Sequence, residues 1–256
     1  MNANIAYLSL LQTLVNRGVE ASPRRIPTIE VLGNTTVVDM SQPIITIKER
    51  ELDYQFMAAE AFWILTGNRR LDHPALVKNL VKYSDDGMTM NGAYGPPFIQ
   101  QIRYVHQALL TDPYSRQAVL SIWERSPRDS KDIPCTLSVQ FFLRGDYIHL
   151  AVTMRSQDCW LGFPYDVFTF SMMALYLNSM FEGKYKLGML HLMVGSQHLY
   201  DRHVNNARAL AGTGGENLVI DNHWVKCPDD LLACLGVIRN MPSSHPEAMF
   251  KGLTCL

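Results

Sequence analysis

The sequence predicts an α+β domain built on one substantial mixed, twisted sheet flanked by helices. Three observations carry that reading. Strand-like and helix-like segments are mixed without regular βαβ alternation. Three β-rich runs follow one another at 117–123, 136–143 and 147–154. Long apolar segments at 51–66 and from Pro164 to about residue 180 have helical length.

The elements follow in order. Residues 6–15 read as a helix, with Leu8, Leu11 and Leu14 at helical spacing. Ser22-Pro23-Arg24-Arg25-Ile26-Pro27 then breaks regular structure. Residues 28–32 and 44–47 look like short strands. Residues 51–66 form a strong helix candidate that Gly67 ends as a C-terminal cap. The polar, glycine-rich stretch 84–97 suggests a loop at a functional edge. Residues 98–110 read as helix. The turn Arg144-Gly145-Asp146 joins the second and third β-rich runs as a hairpin. Pro164 suits the first position of a helix. A strand at 187–194, a helix at 198–210, a short strand at 218–220 and a helix at 229–238 complete the chain. No repeat, low-complexity segment or long linker interrupts it, so one domain is expected over 1–256.

Composition narrows the function classes. The chain has 256 residues, 47% hydrophobic and 18% charged, as ordinary globular proteins do. A formal net charge of -1 provides no global positive field, so a stable nucleic-acid partner is not expected. No apolar run reaches the roughly 18 residues of a membrane helix, and the N-terminus carries no signal-peptide pattern. The five cysteines (Cys135, Cys159, Cys227, Cys234 and Cys255) are odd in number and fit no zinc spacing. A cytoplasmic setting without a metal is expected.

Four segments carry the chemistry: Pro134-Cys135-Thr136, Arg155-Ser156-Gln157-Asp158, Leu161-Gly162-Phe163-Pro164-Tyr165-Asp166, and His198-Leu199-Tyr200. Upstream lie Glu60-Ala61-Phe62-Trp63-Ile64-Leu65-Thr66-Gly67, Tyr94-Gly95 and Asp112-Pro113-Tyr114-Ser115-Arg116. Their order and spacing resemble the thymidylate synthase family, over a stretch from about residue 15 to 203. The resemblance implies a single catalytic domain whose sheet packs back to back with that of a second copy in a homodimer.

The chemistry explains the residue types. Carbon 5 of a pyrimidine is a poor nucleophile. A thiolate adding at C6 makes an enamine of the ring, and C5 can then attack a one-carbon electrophile. The resemblance makes Cys135 that nucleophile, and its thiolate needs nearby positive charge, for which Arg155 is the expected source. Arg155 and Ser156 carry over as ligands of the nucleotide phosphate. Arg116 resembles the arginine that reaches the neighbouring subunit's phosphate; Gln117 stands where the family has a second arginine. Arg24 matches a further phosphate-binding arginine, with Arg25 its competitor. His198 and Tyr200 resemble the pair that bonds the sugar 3′-hydroxyl. They can face one ligand together only where the backbone is not yet helical. Glu60, a buried carboxylate beside Trp63, suits proton shuttling near neutrality. Tyr94 is its expected partner in removing the C5 proton. Asp158, with Leu161 and Gly162, matches the site that holds the pterin of the co-substrate 5,10-methylenetetrahydrofolate.

Departures from the family pattern decide substrate and product. Asp166 stands where thymidylate synthases have asparagine. A protonated aspartic acid could donate to N3 of cytosine and accept from its N4 amino group, and an ionised one could accept from N4–H and a protonated N3. Either form fits cytosine better than uracil, so dCMP is the expected substrate. Thr136 replaces a histidine, Met154 replaces a glutamine, and the stretch Tyr83-Ser84-Asp85-Asp86-Gly87 lacks the family's tryptophans. Less aromatic cover and an added hydroxyl favour quenching of the exocyclic methylene by water. The ending Gly252-Leu253-Thr254-Cys255-Leu256 lacks the family's water-excluding tail. The expected product is 5-hydroxymethyl-dCMP, as in the branch of the family that supplies modified cytosine for phage DNA, with the host cytoplasm as the setting. Competing readings are a dCMP methyltransferase finishing with hydride from the folate, a CMP or dUMP hydroxymethylase, and a non-catalytic RNA-binding regulator on the same fold.

Overall fold

A computed structural model describes residues 1–125, 129–242 and 245–253. Helix α1 (Ala3–Arg17) starts where the Asn2 side chain accepts the Ile5 N–H at 2.9 Å. A short β1 (Val19–Ala21) and a 3-10 turn at Pro23–Arg25 lead into β2 (Thr28–Asp39). Helix α2 (Tyr54–Leu65) opens on Asp53, whose carboxylate accepts the Phe56 N–H, and the chain leaves it through Gly67. Helices α3 (Pro74–Leu80) and α4 (Gly95–Thr111) follow. Then come β3 (Val119–Ser121), β4 (Thr136–Arg144) and β5 (Tyr147–Asp158). Helix α5 (Phe163–Met180) leads to β6 (Lys186–Tyr200). Helices α6 (Asp201–Ala209), α7 (Pro228–Ile238) and α8 (Pro246–Met249) end the described chain.

The six strands form one sheet in the order β1-β2-β6-β5-β4-β3. Every neighbouring pair is antiparallel except β5 and β6, which run parallel. A parallel pair needs a crossover, and α5 supplies it. Phe168, Phe170, Met172, Met173 and Leu175 of α5 are all fully buried, because the helix packs on β5 and β6 on one side and on α2 and α7 on the other. The α+β class with a mixed sheet flanked by helices therefore holds. Burial alternates along β6, and the face bearing Met189, His191 and Met193 remains exposed.

Several expectations need correction. Residues 44–47 are not a strand. Their side chains are buried, but side chains satisfy their backbone: Asn4 accepts the Thr46 N–H and the Tyr54 hydroxyl donates to the Ile45 carbonyl. Residues 218–220 form no strand: Ile220 makes an isolated bridge, and its N–H donates to the Ser41 carbonyl at 2.8 Å. The strand expected at 117–123 shortens to β3, where the Gln101 amide takes over both polar groups of Ser121. Conversely, β2 runs on past residue 32: Gly33 takes φ +64°, yet the register with β6 continues unshifted from Leu32↔Ser196 to Asn34↔Val194. The helix expected at 198–210 begins only at Asp201. His198 pairs with Asp158 and Tyr200 with Thr28, so tertiary pairing keeps this stretch extended.

Candidate active site

The loop before β4 delivers Cys135, and β5 delivers Arg155 beside it. The Arg155 N–H donates to the Cys135 carbonyl at 2.8 Å, which ties the two backbones together. The Arg155 guanidinium donates from Nε to the Pro134 carbonyl and from Nη2 to the Ile133 carbonyl, both at 2.9 Å. Nη2 also lies 3.7 Å from the Cys135 Sγ. Thus the cation expected beside the thiol is present. It does not win outright: burial pushes the Cys135 thiol up, Arg155 pulls it down, and Asp166 and Asp132 oppose the thiolate further. The positive charge the thiolate needs is therefore supplied in part by Arg155, with burial acting against it.

Glu60 and Thr169, Tyr94 and Asp166 line one cavity of about 160 Å³, together with Trp63 and Tyr83. Glu60 comes from α2 and Asp166 from the first turn of α5. Burial raises the Glu60 carboxyl to about 8, and Asp166 adds to the rise. Burial also raises Asp166 to about 7, against a hydrogen bond from Gln157. The Tyr94 hydroxyl accepts the Thr136 N–H at 3.2 Å, which joins the start of α4 to the residue after Cys135. Tyr94 is lifted well above its usual range by burial, with Cys135 and Asp166 acting the same way. Thr136 is fully buried, and its hydroxyl, like that of Thr169, has no hydrogen-bond partner among the described residues. Trp63 and Tyr83 supply part of the aromatic cover expected to be missing.

The turn between β5 and α5 shapes the next wall. Asp158 Oδ1 accepts the Trp160 and Leu161 N–H groups at 2.8 and 3.0 Å, while Oδ2 is buried without a partner among the described residues. Gly162 must be small: a Cβ there would stand 3.0 Å from the Asp158 carbonyl and 3.3 Å from Asp166 Oδ2. Asp166 does not cap its helix; its carboxylate instead accepts from Gln157 Nε2 at 2.8 Å.

Because β6 stays extended through Tyr200, His198 and Tyr200 fall on one face of the strand. Their rings meet edge-on at 5.3 Å. His198 Nδ1 lies 3.3 Å from the Ser156 hydroxyl. The condition set by the sequence, a non-helical backbone at this pair, is met by a strand.

The arginines divide. Arg24 and Arg25 both sit in the exposed 3-10 turn at positive φ, but Arg24 is the one whose charge acts on Cys135. Arg116 is exposed before β3, on the far side of β4 from β5, and its backbone carbonyl accepts from Gln140. Within one chain it does not join the pocket. Sequence reasoning missed Gln157 and Thr169. Gln157 lies inside a motif segment and Thr169 three residues beyond one, and only the fold shows the first turned on Asp166 and the second lining the cavity. Cys255 and the rest of 254–256 lie outside the described residues.

A cysteine held against a guanidinium, beside buried carboxylates at the parallel strand pair of a mixed sheet, is the arrangement the resemblance led one to expect. The family model described as thymidylate synthase matches residues 5–213, and the chain belongs to that family. One relative, the deoxyuridylate hydroxymethyltransferase of Bacillus phage SP01, is 30% identical over 181 residues. The match covers 61% of this chain and 46% of the relative, so the chain spans less than half of that relative's length. No helix among the described residues is long and apolar enough to cross a membrane.

Proposed function

We propose that the chain is a single catalytic domain, residues 1–256, that transfers a one-carbon unit from 5,10-methylenetetrahydrofolate to C5 of dCMP with addition of water, giving 5-hydroxymethyl-dCMP and tetrahydrofolate. The observation that carries this reading is the shared cavity in which Glu60, Tyr94 and Asp166 meet next to Cys135. Cys135 adds to C6 and leaves again when the ring is restored. A nucleotide phosphate seated on Arg155, Ser156 and Arg24 brings the ring to the thiol. Glu60, protonated near neutral pH, exchanges protons at the base, and Tyr94 accepts the C5 proton. His198 and Tyr200 hold the sugar 3′-hydroxyl.

The residues fit the folate. The unpartnered Asp158 Oδ2 is a buried acceptor suited to the adjacent N–H donors of a pterin, with Leu161 and Gly162 forming the same turn. Bound there, the folate would supply the carbon that becomes the hydroxymethyl group. The unpaired Thr169 hydroxyl lines the cavity and is suited to holding a water, which supports hydration over hydride transfer. The name of the phage relative supports hydroxymethylation as well. It specifies deoxyuridylate, and Asp166 is the reason to read cytosine here. The exposed sheet face with Met189 and Met193 suits pairing with a second copy, whose Arg116 would reach this pocket.

The test is incubation with methylenetetrahydrofolate and either dCMP or dUMP. Conversion of dCMP with release of tetrahydrofolate is expected. Release of dihydrofolate overturns hydroxymethylation in favour of methylation, and preference for dUMP overturns the base assignment.

A further inference from the structure

We infer that Gln157 is the positioning residue that lets an aspartic acid tell cytosine from uracil, by fixing which Asp166 oxygen can carry a proton. The inference rests on the reading that Asp166 faces the base. Gln157 is buried on β5, and its Nε2 donates to Asp166 Oδ2 at 2.8 Å. Its orientation is set on several sides. The same Nε2 lies 3.4 Å from the Met154 sulfur, and the Gln157 backbone carbonyl accepts from Gln197 Nε2 at 3.2 Å. Gln157 Oε1 is buried with no partner among the described residues. An unmet buried acceptor opposes stability, so an apolar side chain of similar size would serve packing better. What the amide supplies is its N–H, aimed at one carboxyl oxygen.

The consequence is a broken symmetry. A protonated carboxyl can carry its proton on either oxygen. With the proton on Oδ1, the pair donates to cytosine N3 and accepts from N4–H. With the proton on Oδ2, the same side chain donates to uracil O4 and accepts from N3–H. An unrestrained aspartic acid therefore reads both bases. Oδ2 receives the Gln157 N–H and is held as an acceptor, with a second lone pair still available to the amino group of cytosine. The carbonyl-type oxygen is the better acceptor, so this hydrogen bond favours the proton on Oδ1. Uracil would then set O4 against an acceptor and N3–H against a donor. Gly162 adds no side chain of its own on the Oδ2 side, where a Cβ would stand 3.3 Å from that oxygen. The ionisable groups around Asp166 are Glu60 from α2, Tyr94 at the start of α4, Cys135 before β4 and Asp158 on β5. None of them is a cation, so protonated Asp166 is available near neutral pH.

The experiment compares kcat/KM for dCMP and dUMP in the parent, Gln157→Met and Asp166→Asn proteins. Gln157→Met is expected to lower the dCMP-over-dUMP ratio by about tenfold or more, chiefly by gaining dUMP turnover. A pocket that is merely damaged loses both substrates, so the gain separates positioning from packing. An unchanged ratio in Gln157→Met, with Asp166→Asn shifting toward dUMP, overturns the role of Gln157 and leaves the Asp166 reading standing. An unchanged ratio in Asp166→Asn overturns both. Gln157→Leu, which also lacks the N–H, is expected to reproduce the Met result and serves if the Met protein does not fold.

Discussion

The inner wall of the pocket and its rim obey opposite physical rules. On the wall, Glu60 and Asp166 face apolar and aromatic neighbours, no cation neutralises them, and burial holds their protons on near neutrality. On the rim, Arg155 is exposed, and Ser156 and His198 are hydrogen-bonded to each other. The wall is costly to maintain and suited to moving protons. The rim is cheap and suited to holding fixed charge and hydroxyl groups. Cys135 sits between them, pushed up by the wall and pulled down by the rim.

Three changes test this division, in falling order of effect. Cys135→Ala is expected to lower kcat by at least about a thousandfold while leaving dCMP binding, followed by calorimetry, within a few-fold. Glu60→Gln should lower kcat by about 10²–10⁴ with little change in KM; a KM effect larger than the kcat effect would break the distinction between wall and rim. The same variant has a stability signature. Native Glu60 keeps its proton up to about pH 8, whereas the unfolded chain releases it near 4.5, so stability falls as pH rises between those values. Removing the charge abolishes that loss. Relative to the parent, Glu60→Gln should gain about 1–3 kcal/mol between about pH 5 and pH 9 in urea titrations. His198→Ala, a rim change, should cost about 1 kcal/mol, read as a roughly fivefold rise in KM for dCMP with kcat nearly constant. A kcat loss matching that of Glu60→Gln would place His198 on the wall instead.

Much of this was legible in the residues. The order of Cys135, Arg155, Asp166 and His198 along the chain carried the resemblance to the family, and the leucine spacing of α1 with the long apolar runs of α2 and α5 marked those helices. What was not legible depended on tertiary pairing. His198 and Tyr200 read as helical because the pattern after them is helical, and only their partners on β2 and β5 hold them in a strand. The stretch 44–47 reads as a strand because it is apolar, yet its polar groups are met by Asn4 and Tyr54. Gln157 is one letter in a motif and shows its purpose only once α5 brings Asp166 against it. Arg155 was expected beside the Cys135 thiol and is there; the sequence shows the arginine but not how much water the fold removes.

The parallel pairing of β5 and β6 has a consequence for how the protein is made. On a ribosome, Cys135, Arg155 and Asp158 emerge before the partner strand that completes their surroundings. Antiparallel β4 and β5 can join at once across a tight hairpin, but β6 can dock only after α5 has crossed over and packed. The chemistry-bearing strand β5 is thus joined to β6 by a non-local contact. A nascent chain released before Tyr200 would carry the nucleophile without the strand that holds the sugar, and catalytic competence would arrive in one step with the closing of the sheet.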